Sequence, residues 1–118
     1  MKLYWSSRSP FARKVMVFAH ETGVASRIDC VRTLVQAHAT NPELMRENPV
    51  GKIPTLVADD GAVYYDSFVI CEYLDGIAGG PQLFPSQPKE RVRTLVAGAL
   101  ADGMLEAALL MVYEKRFR

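Results

Sequence analysis

The feature that most constrains this fold is a proline within an apolar run, VGKIPTL at residues 50–56. Pro54 has no N–H to give to a sheet, so it belongs at the entry of a strand. Only an X-Pro bond takes the cis form at low cost, and we predict that the Ile53–Pro54 bond is cis. Ile53 is then expected to turn its own N–H and C=O outward, towards an extended ligand. The plainer interpretation is an ordinary proline at a strand entry.

A second feature, Asp66 followed by Ser67, begins a helical pattern ten residues after this run. The start of a helix with a hydroxyl and free N–H groups suits a carboxylate, and an adjacent aspartate suits an ammonium group. Together with the outward Ile53 backbone, this pair predicts a pocket for an amino acid joined to a short peptide. The alternative is that the two residues form a simple helix cap.

Hydrophobic spacing predicts an α/β domain with the order β-α-β-α-β-β-α. Strands are expected at residues 2–5, 27–32, 54–57 and 62–65. Ser9 and Pro10 mark the start of the first helix and Gly23 its end. Further helices are expected at 43–47 and 67–77. The first two strands should be parallel and the last two should form a hairpin, which is the thioredoxin-like arrangement.

The second part of the chain begins after a break at residues 79–81, Gly-Gly-Pro. We assign residues 1–78 to the first domain, 79–88 to a linker, and 89–118 to one helix. That helix carries an apolar stripe and must pack on the first domain, on a partner or on further chain. The stripe consists of Val92, Leu95, Val96, Ala99, Gly103, Ala107, Leu110 and Met111.

Composition is that of an ordinary globular protein: 118 residues, 49% hydrophobic, with a net charge of +1. This balance favours neither nucleic acid nor a membrane surface as partner, and we expect no segment long enough to span a membrane. With no signal peptide expected, the predicted location is the cytoplasm. Cys30 and Cys71 are far apart and are interpreted as reduced, buried thiols. Two histidines and no clustered cysteines predict no metal site.

Three motifs carry a family resemblance: Ser-Pro-Phe at 9–11, Asn-Pro-Val-Gly-Lys-Ile-Pro at 48–54, and Asp-Ser at 66–67. In order and spacing, residues 1–80 resemble the N-terminal domain of the cytosolic glutathione transferases, most closely the bacterial, serine-type, tau-like and zeta-like members. The resemblance implies a thioredoxin-like domain followed by the first helix of an all-α C-terminal domain, which would normally add several more helices. It also implies glutathione as co-substrate, with no other cofactor.

The resemblance gives Ser9 a catalytic role. A serine hydroxyl at the first helix can donate a hydrogen bond to the glutathione sulfur, and the helix dipole also favours the thiolate. Ser6 and Ser7 are rivals, although Ser9 aligns best with the family serine. The alternative for Ser9 is a helix cap without catalysis. Since no cysteine is present at residues 9–12, where glutaredoxin-like proteins carry Cys-Pro-Tyr-Cys, dithiol exchange is not expected.

The remaining roles implied by the resemblance concern the peptide part of glutathione. Ile53 would pair with the cysteinyl backbone, Asp66 would bind the γ-glutamyl ammonium and Ser67 its carboxylate. Lys52 would meet the glycine carboxylate or remain a solvated lysine, and His38 or Thr40 is a further candidate for that end. The complete expected glutathione-binding set is Phe11, Lys52, Ile53, Pro54, Asp66 and Ser67.

The predicted activity is conjugation of the glutathione thiolate to a small hydrophobic electrophile, a detoxification reaction, by a cytoplasmic homodimer. Isomerisation, dehalogenation and peroxide reduction would use the same site. The electrophile pocket is expected beside the helix at 89–118, near Met104, Leu105, Ala108 and Met111. The alternative is a non-catalytic binding or regulatory module.

Overall fold

The computed structural model describes residues 1–36, 39–80 and 82–118. It divides into two units, Met1–Leu83 and Phe84–Arg118. The first unit contains β1 (Lys2–Trp5), α1 (Pro10–Glu21), β2 (Asp29–Arg32), α2 (Pro42–Glu47), β3 (Thr55–Val57), β4 (Val63–Tyr64) and α3 (Ser67–Ile77). The second unit contains α4 (Pro88–Phe117). The predicted α/β class and element order are confirmed, and Pro81 of the predicted linker lies outside the described residues.

The four strands form one sheet in the order β2-β1-β3-β4. β1 is parallel to β2 and antiparallel to β3, and β3 forms an antiparallel hairpin with β4, as predicted. Gly61 closes that hairpin with a positive φ of 86°, a conformation that glycine adopts without steric cost. Its N–H donates to the carbonyl oxygen of Ala58 at 3.0 Å.

Side-chain caps begin the helices of the first unit. The oxygen of Ser9 accepts a bond from the Ala12 N–H, and Asn41 accepts one from the Leu44 N–H. Proline follows the cap in α1 and α2, where its missing N–H costs nothing. The cap at Ser9 is the predicted start of α1, whereas the cap at Asn41 starts α2 at Pro42, one residue before the expected position.

The core of the first unit lies between the sheet and its helices. α1 packs against α3, α3 against β3 and β4, and α2 against β3. Alternation on the strands and helical spacing on α1 and α3 bring large apolar side chains together. Fully buried examples are Leu3, Val15, Leu44, Leu56, Ile70 and Leu74.

Strand boundaries depart from the prediction at both sheet edges. β2 begins at Asp29 rather than at residue 27, because Ala25–Arg27 forms a turn of 3-10 helix. β4 is reduced to Val63 and Tyr64. Edge strands are paired on one side only, so their ends are decided by neighbouring turns rather than by apolar pattern.

The prediction that both cysteines are buried was wrong for Cys30. Cys71 is buried within α3, but Cys30 is exposed, and neither forms a disulfide bond within the described residues. Cys30 lies on β2, the edge strand, where one side of the sheet has no further neighbour. Its sulfur still contacts the Met16 sulfur at 3.7 Å.

α4 contradicts the expectation that no segment is long enough to span a membrane. Between Arg93 and Glu114 its only charged side chains are Asp102 and Glu106, and by length and composition alone it could cross a bilayer. A core helix of a globular protein passes the same test. None of its residues is buried, and the predicted stripe residues Val96 and Met111 are exposed.

Candidate functional site

Three segments that carry the candidate residues converge at one end of the sheet. In the register, Tyr4 of β1 lies opposite Thr55 of β3, and Leu56 lies opposite Tyr64 of β4. β1 and β4 therefore end, and β3 begins, at the same end of the sheet. The loop at 6–9, the segment at 52–54 and the turn at 65–67 directly adjoin those strand ends, so the fold places them side by side.

Ser9 is the N-cap of α1. Its Oγ accepts the Ala12 N–H at 3.1 Å, while its own O–H has no acceptor among the described residues. No acidic residue stands in the first turn of α1, so the positive end of the helix dipole is not neutralised there. The cap and the proposed thiolate contact use different parts of one hydroxyl group and are compatible.

The rival serines have different surroundings. The Ser6 Oγ accepts the Arg8 N–H at 3.2 Å, and the Ser6 carbonyl accepts the Ser9 N–H at 3.0 Å. Ser7 is exposed two residues before the cap, and its carbonyl oxygen accepts a bond from Arg13 at 3.4 Å. Ser9 is thus the serine at the helix start itself, and the choice between Ser9 and Ser7 stays a prediction.

The segment at 52–54 has the predicted backbone form. The Ile53–Pro54 bond is cis. Pro54 is buried, Ile53 is half-buried and Lys52 is exposed. Within the described part of the chain the Ile53 N–H makes no hydrogen bond, so this amide is available to a ligand at the sheet end.

Asp66 and Ser67 begin α3. An Asp66 oxygen accepts the Phe68 N–H at 3.0 Å, which makes Asp66 the N-cap. Its side chain is exposed and forms no ion pair with any described residue. The Ser67 side chain is 3% exposed and has no hydrogen-bond partner within residues 1–36, 39–80 and 82–118. A carboxylate and an unused hydroxyl therefore stand together at a helix N-terminus.

Phe11, in the first turn of α1, and Phe68, in the first turn of α3, both contact Lys14. The Lys14 ammonium sits 6.0 Å from the centre of the Phe11 ring and 5.6 Å from the Phe68 ring. Cation–π contacts at this range are attractive. Lys14 therefore joins the first turns of the two helices that carry Ser9 and Ser67, and adds positive charge beside them.

The further candidates for the glycine end are His38 and Thr40. His38 lies outside the described residues. Thr40 belongs to an open depression at the start of α2, lined by Leu34, Gln36, Ala39, Thr40, Asn41, Pro42 and Glu43. Among the residues described, no three His, Cys, Asp or Glu side chains are grouped as a metal site would require.

Sequence reasoning missed Asn48 and Thr55, two buried polar residues on either side of the 52–54 segment. They hydrogen-bond to each other at 2.9 Å and both bond to the Lys52 carbonyl oxygen. The available signal was an asparagine before Pro49 and Gly51, which is typical of a side-chain-stabilised turn. Its connection to Thr55 depends on the strand register, which the sequence does not contain.

Comparison with known proteins identifies the family of this arrangement. Residues 8–77 match the glutathione S-transferase N-terminal domain family. The chain belongs to the glutathione S-transferase family. It is 34% identical to the GST-like protein YibF of Escherichia coli (strain K12), over 98% of this chain and 55% of YibF. It is also 34% identical to the stringent starvation protein A homolog of Histophilus somni, over 77% of this chain and 41% of that protein.

A solved structure with its ligand is also similar. A glutathione transferase family member from Pseudomonas fluorescens Pf-5, with bound glutathione, has a TM-score of 0.94 and 42% identity, over 99% of this chain and 57% of the other. A second structure from that bacterium contains S-(propanoic acid)-glutathione and has a TM-score of 0.86. The chain spans about half the length of these curated relatives and solved structures.

Proposed function

We propose that this chain binds glutathione at the described end of the sheet and stabilises its thiolate with Ser9, as a serine-type glutathione transferase of the tau-like or zeta-like kind. The observation that carries the proposal is a set of polar groups at that end that have no hydrogen-bond partner among the described residues. They are the Ser9 O–H, the Ile53 N–H and the Ser67 hydroxyl. The glutathione bound to the Pseudomonas fluorescens relative supports the same ligand.

Each part of glutathione has a matching group. The γ-glutamyl carboxylate suits the Ser67 hydroxyl and the start of α3, where backbone N–H groups point outward. The γ-glutamyl ammonium suits the Asp66 carboxylate, which has no cation beside it among the described residues. The cysteinyl backbone suits the Ile53 N–H, and the exposed Lys52 suits the glycine carboxylate. Phe11 and Pro54 would bound the pocket with apolar surface.

The sulfur would then lie at the start of α1. A free thiol has a pKa of about 8.5, and lowering it by about two units needs about 2.7 kcal/mol of preferential stabilisation of the thiolate. A hydrogen bond to a charged group contributes about 1.5–3 kcal/mol, so the Ser9 hydroxyl and the helix dipole together suffice. The thiol proton passes to water, and Ser9 keeps its own proton.

The reaction is an attack of this sulfur on an electrophilic carbon. A C–S bond forms with the sulfur lone pair, and either a leaving group departs with its bonding electrons or the substrate takes up a proton from water. S-(propanoic acid)-glutathione, bound to the relative, is a thioether of the type that such a reaction gives. Small hydrophobic electrophiles, a detoxification role, a cytoplasmic location and a homodimer complete the proposal.

Calorimetric titration tests it. Glutathione and S-methylglutathione are titrated separately between about pH 6 and about pH 8, the range around the expected bound thiol pKa. Binding of both ligands, with proton release for glutathione alone, supports thiolate capture. Binding of neither ligand contradicts the proposal.

The second candidate is a non-catalytic binding or regulatory module. It is favoured by the similarity to the stringent starvation protein A homolog, whose name does not refer to a transferase. Such a module needs no thiolate stabilisation. Binding of both ligands without any difference in proton release would favour it.

A further inference from the structure

A buried polar network lies directly behind the 52–54 segment. Asn48 is 1% exposed and Thr55 is fully buried. The Asn48 side-chain amide donates to the Lys52 carbonyl at 3.2 Å and to the Thr55 hydroxyl at 2.9 Å. The Thr55 hydroxyl donates in turn to the same carbonyl at 2.8 Å. The Lys52 carbonyl oxygen thus accepts two hydrogen bonds from buried side chains.

The turn before Lys52 belongs to the same network. The Asn48 side-chain oxygen accepts the Val50 N–H at 2.9 Å, and the Asn48 carbonyl accepts the Gly51 N–H at 2.9 Å. Gly51 has a φ of +64°, in the left-handed region that favours glycine. Asn48 therefore uses both amide protons and both of its carbonyl oxygens within one short segment, and the network fixes that segment from both ends.

This network sets the direction of the unused Ile53 N–H. The Lys52 carbonyl and the Ile53 N–H share one planar peptide unit, and that unit is trans. In a trans unit the C=O and the N–H point in opposite directions. Because the oxygen points inward to two buried side chains, the N–H points outward, where the described structure offers it no partner.

We propose that Asn48 and Thr55 are positioning residues for glutathione: they hold the Lys52 carbonyl and thereby direct the Ile53 N–H at the cysteinyl part of the ligand. The inference rests on the proposed function, since it takes glutathione as the ligand of that amide. Asn48 and Thr55 do not contact the ligand. They therefore affect the affinity for the peptide part of glutathione and not the pKa of its thiol.

Thr55→Val is the main test, because valine keeps the shape of threonine and removes the hydroxyl. We expect about tenfold weaker binding of glutathione and of S-methylglutathione alike, equivalent to about 1.4 kcal/mol. The pH at which half of the thiol proton is released should stay unchanged, because Ser9 is untouched. Thr55→Ser keeps the hydroxyl and should restore affinity to within about twofold of the unsubstituted chain.

Thr22→Val is the matched control. Thr22 is also a buried threonine of the first unit, 4% exposed, and its hydroxyl donates to the Phe18 carbonyl at 2.8 Å. It stands at the end of α1 opposite Ser9. This variant should lose stability without losing affinity, which separates a positioning role from general destabilisation.

Asn48→Asp is a second variant, which keeps the acceptor for the Val50 N–H and removes both amide donors. It should also weaken the binding of both ligands, so the proposal can still be tested if Thr55→Val does not fold. If the unsubstituted chain binds glutathione and both variants bind it within about twofold as tightly, the positioning role is overturned and the proposed function stands. If the unsubstituted chain does not bind, the proposed function and this inference fall together.

Discussion

Three substitutions of Ser9 separate its role as a helix cap from its proposed role at the glutathione sulfur. The Ser9 Oγ accepts the Ala12 N–H at 3.1 Å, while its O–H is unused within the described residues. Ser9→Thr keeps the acceptor and the proton. Ser9→Asp keeps the acceptor but, when ionised, has no proton to donate. Ser9→Ala removes both, so the three variants give different combinations of stability and thiolate binding.

The effect on stability follows from the cap alone. Loss of a serine N-cap costs typically about 1 kcal/mol of unfolding free energy. For a domain of this size that lowers Tm by about 4–8 °C. Ser9→Ala should show this loss, whereas Ser9→Thr and Ser9→Asp should stay near the unsubstituted chain. Aspartate is itself favourable at a helix N-terminus. Thermal unfolding followed by circular dichroism measures the Tm of each variant and so ranks their stabilities.

The effect on the thiol follows from the donated proton alone. A hydrogen bond to a charged group contributes about 1.5–3 kcal/mol, which is about one to two units in the pKa of the bound thiol. The pKa of the bound glutathione thiol would rise from about 6.5 to about 8. The thiolate fraction at pH 7 would then fall from about three quarters to about a tenth. Ser9→Ala and Ser9→Asp should both show this change. In Ser9→Asp, repulsion between the aspartate carboxylate and the thiolate should add to it. Ser9→Thr should not.

The pH dependence has a definite sign. Because the bound thiol pKa lies below the free value, glutathione affinity should increase with pH from about 6.5 upward and level off near about 8.5. S-methylglutathione has no thiol proton and should show no such increase. Calorimetry with proton-release correction, supported by ultraviolet thiolate absorbance, gives both curves.

One result would refute the reasoning. If Ser9→Asp releases the thiol proton at the same pH as the unsubstituted chain, the Ser9 hydroxyl is not the donor to the sulfur. A shift on Ser7→Ala in the same experiment would transfer the role to Ser7, two residues before the cap. Loss of stability in Ser9→Ala without a change in proton release would leave Ser9 as a cap alone.

Three other predictions concern single positions. Gly51→Ala should destabilise the chain by about 1–2 kcal/mol, because a Cβ is unfavourable at a φ of +64°. Gly76→Ala in α3 places its Cβ in open space and should stabilise the chain by up to about 1 kcal/mol. Denaturant titrations measure both changes. Partial burial and the charge of Asp29 raise the Cys30 pKa, so iodoacetamide should modify this thiol mainly above its ordinary pKa. The buried Cys71 should be modified only after unfolding, and peptide mass spectrometry distinguishes the two sites. Asp66→Asn keeps the cap of α3 but loses the charge. Calorimetry should show glutathione binding about two- to fivefold weaker, with an affinity that depends less on salt concentration.

Local signals in the sequence were sufficient where one short segment decides the structure. Asp66 and Ser67 carry a cap and a helix start within two residues, and α3 has the predicted bounds. The hairpin expected of the last two strands is likewise formed by β3 and β4, which a short turn at 59–61 joins. In each case the hydrogen bonds join residues close in sequence, so pattern and structure agree.

Features that depend on distant partners were not predictable. The exposure of Cys30 follows from the position of β2 at the sheet edge, which the apolar pattern of residues 27–32 does not contain. The bond between Asn48 and Thr55 requires that Thr55 face inward when paired with Tyr4. The sequence therefore indicated the candidate residues at this end of the sheet, but not the buried residues that hold the 52–54 segment in place.

The enzyme and the binding module share most of the candidate site, so affinity alone does not distinguish them. Ile53, Asp66 and Ser67 would contact the peptide part of glutathione in either case. Of the candidate residues, only Ser9 is proposed to act on the sulfur. Its hydroxyl proton has no acceptor among the described residues, although its oxygen already serves as a cap. The deciding quantity is therefore the difference in proton release between glutathione and S-methylglutathione, because it depends on the sulfur contact and not on the shared ones.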